Sequence, residues 1–248
     1  MPPRLFSSVR LPRGRFPIDL ALDDRAAQHV RVLRLERGDA ITLFDGDLTK
    51  SEGEASGIIK LIDKRSVVVE MSVWRNVSRE SPLDVALMQA LAVGDKMDFT
   101  LQKAVELGAT AFHPIRTARA TLKLDSERAA KRHTHWEGIA IAACEQCGRN
   151  RLPQVAPIRD FAEALAVPRT KAILSPSATM SLAAWTQANA NQPLAIFVGP
   201  EGGFTDAEVQ QAERAGATAI TLGPRVLRTE TAGVAALALM QATAGDLG

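Results

Sequence analysis

Two cysteines in 248 residues are too few for a disulfide scaffold, which points to a reducing compartment. No apolar run approaches the roughly 20 residues of a membrane span. The opening stretch MPPRLFSSVRLPRGRF lacks the apolar core of a secretory signal, so a cytoplasmic protein without membrane attachment is expected. Gly-x-Gly-x-x-Gly and Gly-Lys-Ser/Thr loops are both missing, which argues against the usual dinucleotide and triphosphate cradles. Gly-x-Ser-x-Gly is missing too, and no Ser-His-Asp set is apparent. His29 and His113 lie in apolar patterns, where a lone histidine is usually structural. Repeats and low-complexity tracts are absent.

With 46% apolar residues the chain can bury a substantial core. Its net charge of +2 is unevenly spread: residues 1–37 hold eight arginines against four acids, and residues 116–151 hold eight Lys/Arg against four acids. Such basic blocks on a nearly neutral chain suit a polyanion, although ordinary solvated faces would give the same count. The first block contains Arg10, Arg31 and Arg34; the second contains Arg116, Arg119, Arg149 and Arg151.

The first part reads as short strands, RLFSSV, AITLFDG, GEASGIIKLID and SVVVEMSVW, interrupted by a helix over about Asp24 to Leu33. Short strands separated by turn signals predict a small barrel. The polar stretch RNVSRESP, residues 75–82, marks a boundary, dividing the chain into 1–76 and 77–248. Beyond it strands and helices alternate. LDVALMQAL, ATAFHPI and segments near 171–175, 193–198 and 217–222 read as strands, with a long helix over about Ser126 to Gln146. This predicts an α/β domain with a mostly parallel sheet.

Two loops carry the functional signal. FVGPEGGFTDAEV runs from an apolar strand through Gly199, Gly202 and Gly203 into a helix, which the box Thr205-x-x-Glu208 should cap near Asp206. ATAITLGPRVLRTETA repeats the design through Gly223-Pro224, with Thr229 the expected cap of a helix beginning near Glu230. Both loops belong at the carboxyl edge of the sheet, where α/β proteins bind ligands. Neither contains lysine, and the first contains Glu201, so phosphate would be poorly served. Leu222, Val226 and Leu227 offer apolar walls that suit an adenine ring in a ligand without phosphate. The alternative is a pair of tight turns with no ligand.

These two segments, with GDKMDFTLQKAVELGAT, EQCGRNRLPQV and HVRVLRLERGDAITLFDG, resemble the 16S ribosomal RNA (uracil-N3) methyltransferase family of the SPOUT superfamily. The resemblance spans nearly the whole chain. It implies a PUA-like RNA-binding β-barrel followed by an α/β domain tied in a deep trefoil knot, a homodimer, and S-adenosylmethionine as cofactor. The implied cofactor residues are Leu174, Ser175 and Pro176 at one strand end; Val198, Gly199, Pro200, Glu201, Gly202 and Gly203 in the first loop; and Leu222, Gly223, Val226, Leu227 and Arg228 in the second. The implied reaction methylates N3 of a uridine in 16S ribosomal RNA within the small subunit. Within that reaction Glu201 or Glu230 is a candidate base and Arg228 a candidate to stabilise the anionic ring, a choice that the resemblance leaves open. Family members commonly carry an acid immediately before the arginine matching Arg119, and a basic residue is frequent at position 93; here they are Ala118 and Val93.

Cys144-Glu145-Gln146-Cys147, with His133 and His135 upstream, imitates a zinc site. Residues two apart on a helix point to different sides, so no metal is expected. Cys147-Gly-Arg-Asn-Arg is read as an RNA-facing stretch, with Arg149 and Arg151 on phosphate and Asn150 at a base edge. Its alternative is a helix end stopped by Gly148. The last helix, TETAGVAALALMQATAG, has an Ala/Leu-rich face that suits either a dimer contact or a plain core. Two other function classes stay open: a nicotinamide oxidoreductase, for which LMQALAVGDK offers no phosphate-binding turn, and a non-catalytic RNA-binding module, which would not need both glycine loops.

Overall fold

Period-two burial builds the first part of the molecule. In β5 (Val67–Arg75), Val67, Val69 and Met71 point inward while their neighbours are exposed or half-buried. The computed structural model describes residues 2–46, 53–122 and 125–248. These form two compact units, one running to Glu80 and including Cys144–Leu152, the other comprising Ser81–Ala143 and Pro153–Gly248. The division thus falls after Glu80 instead of after residue 76. The return of 144–152 to the first unit left no compositional trace in the sequence.

The first unit holds β1 (Arg4–Phe6), β2 (Ile18–Ala21), β3 (Ala40–Phe44), β4 (Glu54–Ile62) and β5 in one sheet of order β1-β3-β4-β5-β2. Among the described residues of this unit, only β1 and β3 pair in parallel. Helix α1 (Asp24–Val32) starts where the Asp23 carboxylate accepts from the Ala26 amide at 2.9 Å. It buries Ala26, Ala27 and Val30 against Leu5, Ile41, Leu43 and Ile59. Strand β2 escaped sequence reading because Ile18 and Leu20 are its only large apolar residues, both half-buried on an edge.

In the second unit β6 (Val85–Ala90), β7 (Ala111–Arg116), β8 (Gln154–Val155), β9 (Arg159–Asp160), β10 (Thr170–Leu174), β11 (Leu194–Val198) and β12 (Ala217–Ile220) form a parallel sheet. Its path is β12-β10-β11-β6-β7-β8, with β9 also on β7. The helices are α2 (Lys96–Glu106), α3 (Ser126–Cys147), α4 (Phe161–Leu165), α5 (Leu182–Asn189), α6 (Asp206–Arg214) and α7 (Thr229–Ala244). Every residue of β6 and β11 is buried, which explains their unbroken apolar runs. Ala86, Met88 and Phe197 pack against Phe161 and Ala212 of α4 and α6. On the other face Gly233 of α7 sits against Leu87, Gln89 and Thr100. Helix α7 packs on α2 and α5, so its Ala236, Leu237 and Met240 belong to the core of this unit. Among the described residues no helix is long and apolar enough to cross a membrane.

His113 lies in β7 and is 6% exposed. Burial, reinforced by the charges of Arg159 and Arg169, pushes its imidazole down to about 4 from 6.5. The unfolded chain therefore binds a proton that the folded chain refuses. Stability from this group is complete above pH 6.5 and falls as pH drops toward 4, by up to about 3 kcal/mol. Urea unfolding at pH 7 and pH 4.5 should show this loss in the wild type and a smaller one in His113→Gln.

Candidate active site

The sheet order fixes the site. Strand β10 lies between β11 and β12 in parallel register, with Ile173 opposite Phe197 and Leu174 opposite Ile220. Three carboxyl ends therefore stand side by side, and the loops that leave them enclose a cavity of about 410 Å³. That volume lies within the range of small-molecule sites, roughly 300–1,000 Å³. The strands that carry the two glycine loops flank β10, so the β10 loop comes between them.

Each loop is held differently. After β10, the Ser175 amide donates to the Ile220 carbonyl at 2.9 Å, and the Ser175 and Ser177 hydroxyls are 3.0 Å apart. After β11, the Gly203 amide donates to the Pro200 carbonyl at 2.9 Å in a tight turn, and Gly203 has φ +68°. Gly199 serves a different purpose: a Cβ there would lie 3.1 Å from the Phe204 nitrogen and 3.2 Å from the Gly203 carbonyl carbon. Thr205 and Glu208 form the expected capping box of α6. After β12, Gly223 has φ +106° and its amide donates to the Thr221 hydroxyl at 3.2 Å.

Leu174, Val198, Phe204, Leu222, Val226 and Leu227 supply apolar walls. Val226 is 84% exposed, an uncovered apolar rim. Ser175, Pro176, Gly199, Pro200, Glu201, Gly202, Gly203 and Gly223 also line the cavity, whereas Arg228 and Glu230 do not. Arg228 is exposed and serves as the backbone N-cap of α7, without a side-chain cap bond. The helix starts one residue earlier than the sequence indicated. Thr229 is its first residue, and its hydroxyl donates instead to the Gly199 carbonyl at 2.6 Å.

Lys96, at the start of α2, was missed by sequence reasoning. Its ammonium donates to Glu201 Oε1 at 2.6 Å and stands 3.9 Å from Glu230 Oε2. It lies 105 residues before Glu201, so no local signal could reveal the pair. Burial alone would raise the Glu201 carboxyl. The hydrogen bond and charge of Lys96, with backbone donors, outweigh it and hold the group below its ordinary range. Arg119 also enters the cavity wall: its Nη1 donates to the carbonyls of Gly202 at 2.9 Å and Phe204 at 3.3 Å. The neighbouring Ala118 amide donates to Glu208 Oε1 at 2.8 Å, so the capping acid of α6 holds this segment too. Arg225 lines the cavity, and no partner engages it among the described residues.

The family pattern described as an RNA methyltransferase domain matches residues 79–241. The ribosomal RNA small subunit methyltransferase E of Bacillus subtilis (strain 168) is 36% identical over 218 residues, covering 84% of this chain and 83% of the relative. The chain belongs to this family. Its counterpart from Buchnera aphidicola subsp. Acyrthosiphon pisum (strain APS) is 30% identical over 250 residues, covering 98% of this chain and 94% of the relative. A crystal structure of ribosomal RNA small subunit methyltransferase E from Neisseria gonorrhoeae bound to S-adenosyl methionine superposes with TM-score 0.89. It is 40% identical and covers all of both chains.

A small subunit methyltransferase of this family needs an RNA-facing surface, and the basic residues divide into two sets. Arg10 and Arg34 are exposed, as are Arg116 and Arg119. Arg31 is half-buried and donates to the Asp63 carbonyl at 3.2 Å; Arg116 pairs with Asp160 at 3.2 Å. Arg149 and Asn150 correct the expectation, since each is only 3% exposed. Arg149 grips Glu80 Oε2 through Nε at 2.9 Å and Nη2 at 2.6 Å, and Asn150 donates to the Val77 carbonyl at 2.8 Å. Arg4 bonds both Asn150 and the buried Glu54. The half-buried Arg151 donates its amide to Glu80 at 3.3 Å. Gly148, at φ +90°, ends α3 and turns the chain into this cluster.

Arg149→Met should therefore act on stability, because it leaves the Glu80 carboxylate, whose side chain is 9% exposed, without its cation at a cost of about 3–5 kcal/mol. Urea unfolding measures this, and a loss confined to RNA affinity would contradict it. The cysteine pair has a similarly structural setting: burial pushes the Cys144 thiol up to about 12. His135 Nε2 lies 2.7 Å from Asp98, and His133 Nε2 lies 3.0 Å from the Val155 carbonyl. Among the described residues no group of three or more His, Cys, Asp or Glu side chains is placed to hold a metal.

Proposed function

We propose that the chain is an S-adenosylmethionine-dependent methyltransferase of 16S ribosomal RNA, acting on N3 of a uridine. The observation that carries this reading is the cavity itself: three loops with apolar walls and backbone groups, and no lysine in any of them to cradle phosphate. The cofactor, when bound, supplies an electrophilic methyl group on its sulfonium. Leu222, Leu227 and Val226 would hold the adenine, and Ser175, Gly199 and Gly223 lie where backbone and hydroxyl groups can meet polar atoms. Gly199 keeps this loop compact, since a Cβ there would come within 3.1 Å of the Phe204 nitrogen, tighter than ordinary contact.

The protein's task is then to orient the two reactants and manage the N3 proton. Glu201 lines the cavity, but its lowered carboxyl makes it a weak proton acceptor. Glu230 keeps one buried oxygen without a hydrogen bond, yet lies outside the cavity lining. The side chains favour stabilising the ring anion left when N3 gives its proton to solvent, with Arg225 the cation at the cavity wall. The uridine must enter unpaired, because N3 faces its base-pairing partner.

The reading extends to the rest of the chain. The five-stranded first unit serves as a PUA-like RNA-binding barrel, with Arg10, Arg31 and Arg34 toward phosphate. The second unit carries the trefoil knot that the family resemblance implies. The enzyme works in the cytoplasm as a homodimer on the small ribosomal subunit. Calorimetry with S-adenosylmethionine, NAD and ATP tests the cofactor, and mass spectrometry of methylated ribosomal RNA tests the product. Tight NAD binding without an S-adenosylmethionine signal would sink the proposal.

A further inference from the structure

Beneath the first glycine loop lies a polar relay that the cavity lining does not reveal. Gln89, near the carboxyl end of β6, is 1% exposed, and Thr229 is 4% exposed. Gln89 Nε2 donates to Thr229 Oγ1 at 2.8 Å, and Thr229 Oγ1 donates to the Gly199 carbonyl at 2.6 Å. The direction is forced. A hydroxyl has one proton, and a carbonyl can only accept, so Thr229 must donate to Gly199 and Gln89 must donate to Thr229. The amide's other atom, Oε1, is buried without a hydrogen-bond partner, and it faces α7 at Gly233. A Cβ at Gly233 would lie 2.9 Å from that oxygen, so the Gln89 amide would have to shift to admit one. A glutamine in the all-buried strand β6 is costly unless its amide is needed there.

We propose that Gln89 and Thr229 are positioning residues. They lock the Gly199 carbonyl in one direction and so set the peptide plane on which the β11 loop turns into the cavity. The consequence reaches the ligand because Gly199 and Thr229 line the cavity while Gln89 acts through them. With its carbonyl committed to Thr229, Gly199 keeps the Gly199–Pro200 peptide fixed in the absence of ligand. The loop then needs no reordering when the cofactor enters. Helix α7, β6 and the loop are coupled by this one chain of donors.

This inference rests on the S-adenosylmethionine reading, and the test separates the two. Wild type, Thr229→Val, Thr229→Ser, Gln89→Leu and the Gln89→Leu/Thr229→Val pair are compared by calorimetry with S-adenosylmethionine and by thermal unfolding without it. Thr229→Val should weaken binding roughly tenfold or more, the scale of a broken buried hydrogen bond. Thr229→Ser should restore most of the affinity. Gln89→Leu should weaken binding less, and the pair should weaken it by less than the product of the single effects. Lower melting temperature with unchanged affinity in Thr229→Val and Gln89→Leu would reduce both to packing residues and overturn the proposal. Multiplicative losses in the pair would overturn the relay. No binding by the wild type would overturn the cofactor reading instead.

Discussion

Gly199→Val is expected to cost the cavity its cofactor affinity by about 1–3 kcal/mol, a five- to hundredfold loss. The obstacle is steric: Cβ would press on the Phe204 nitrogen and the Gly203 carbonyl carbon, both backbone atoms that cannot rotate away. Gly203→Val should also weaken binding, but through a different cause. Nothing lies within 4 Å of a Cβ at Gly203, yet its φ of +68° is a conformation that a β-branched residue resists. Asparagine tolerates that region, so Gly203→Asn should bind within about threefold of the wild type. The same change at Gly199 should not be tolerated. Calorimetry on these variants, with thermal unfolding to confirm the fold, distinguishes space from conformation. Equal tolerance of asparagine at both positions would show that the loop yields.

That difference between two glycines marks what the sequence made legible. Strands β6, β7, β10, β11 and β12, helices α3 and α6, and the Thr205–Glu208 capping box were readable because each depends on neighbours within a few residues. Two of the loops around the cavity were readable too, from glycines that follow apolar strands; the loop after β10 came only with the family resemblance. Lys96 was not, since its pairing with Glu201 is created by the sheet and helix order alone. Thr229 followed a helix-cap pattern and was assigned to the wrong bond. Its hydroxyl is buried and turned toward Gly199, a matter of tertiary position overriding local preference. Arg149 and Asn150 looked like a phosphate and base clamp in one dimension. In three, the nearby Glu80 and Val77 claim their donors first. Basic residues next to a helix end carry no sequence mark of whether they face water.

The same reasoning separates Arg225 from Arg228. Both lie in the loop after β12, and the reading of the sequence named Arg228 for the anionic ring. Arg225 is the one that lines the cavity, and it is not engaged by any described partner, so its guanidinium is available to a developing negative charge. Both arginines are exposed, but Arg228 lies outside the lining, whereas Arg225 stands at the cavity wall. Arg225→Ala should therefore slow single-turnover methylation by roughly a hundredfold or more while leaving cofactor affinity within a fewfold. Arg225→Lys should recover only part of the rate, because an ammonium cannot reproduce the planar fork that meets two acceptor oxygens. Arg228→Ala should change the same rate by less than about fivefold, the scale of a lost exposed charge. Measurements at saturating RNA and cofactor separate chemistry from binding. If Arg228→Ala gave the large loss and Arg225→Ala the small one, the Arg228 side chain would have to swing into the cavity on RNA binding, and the anion would be stabilised from the helix end of the loop instead.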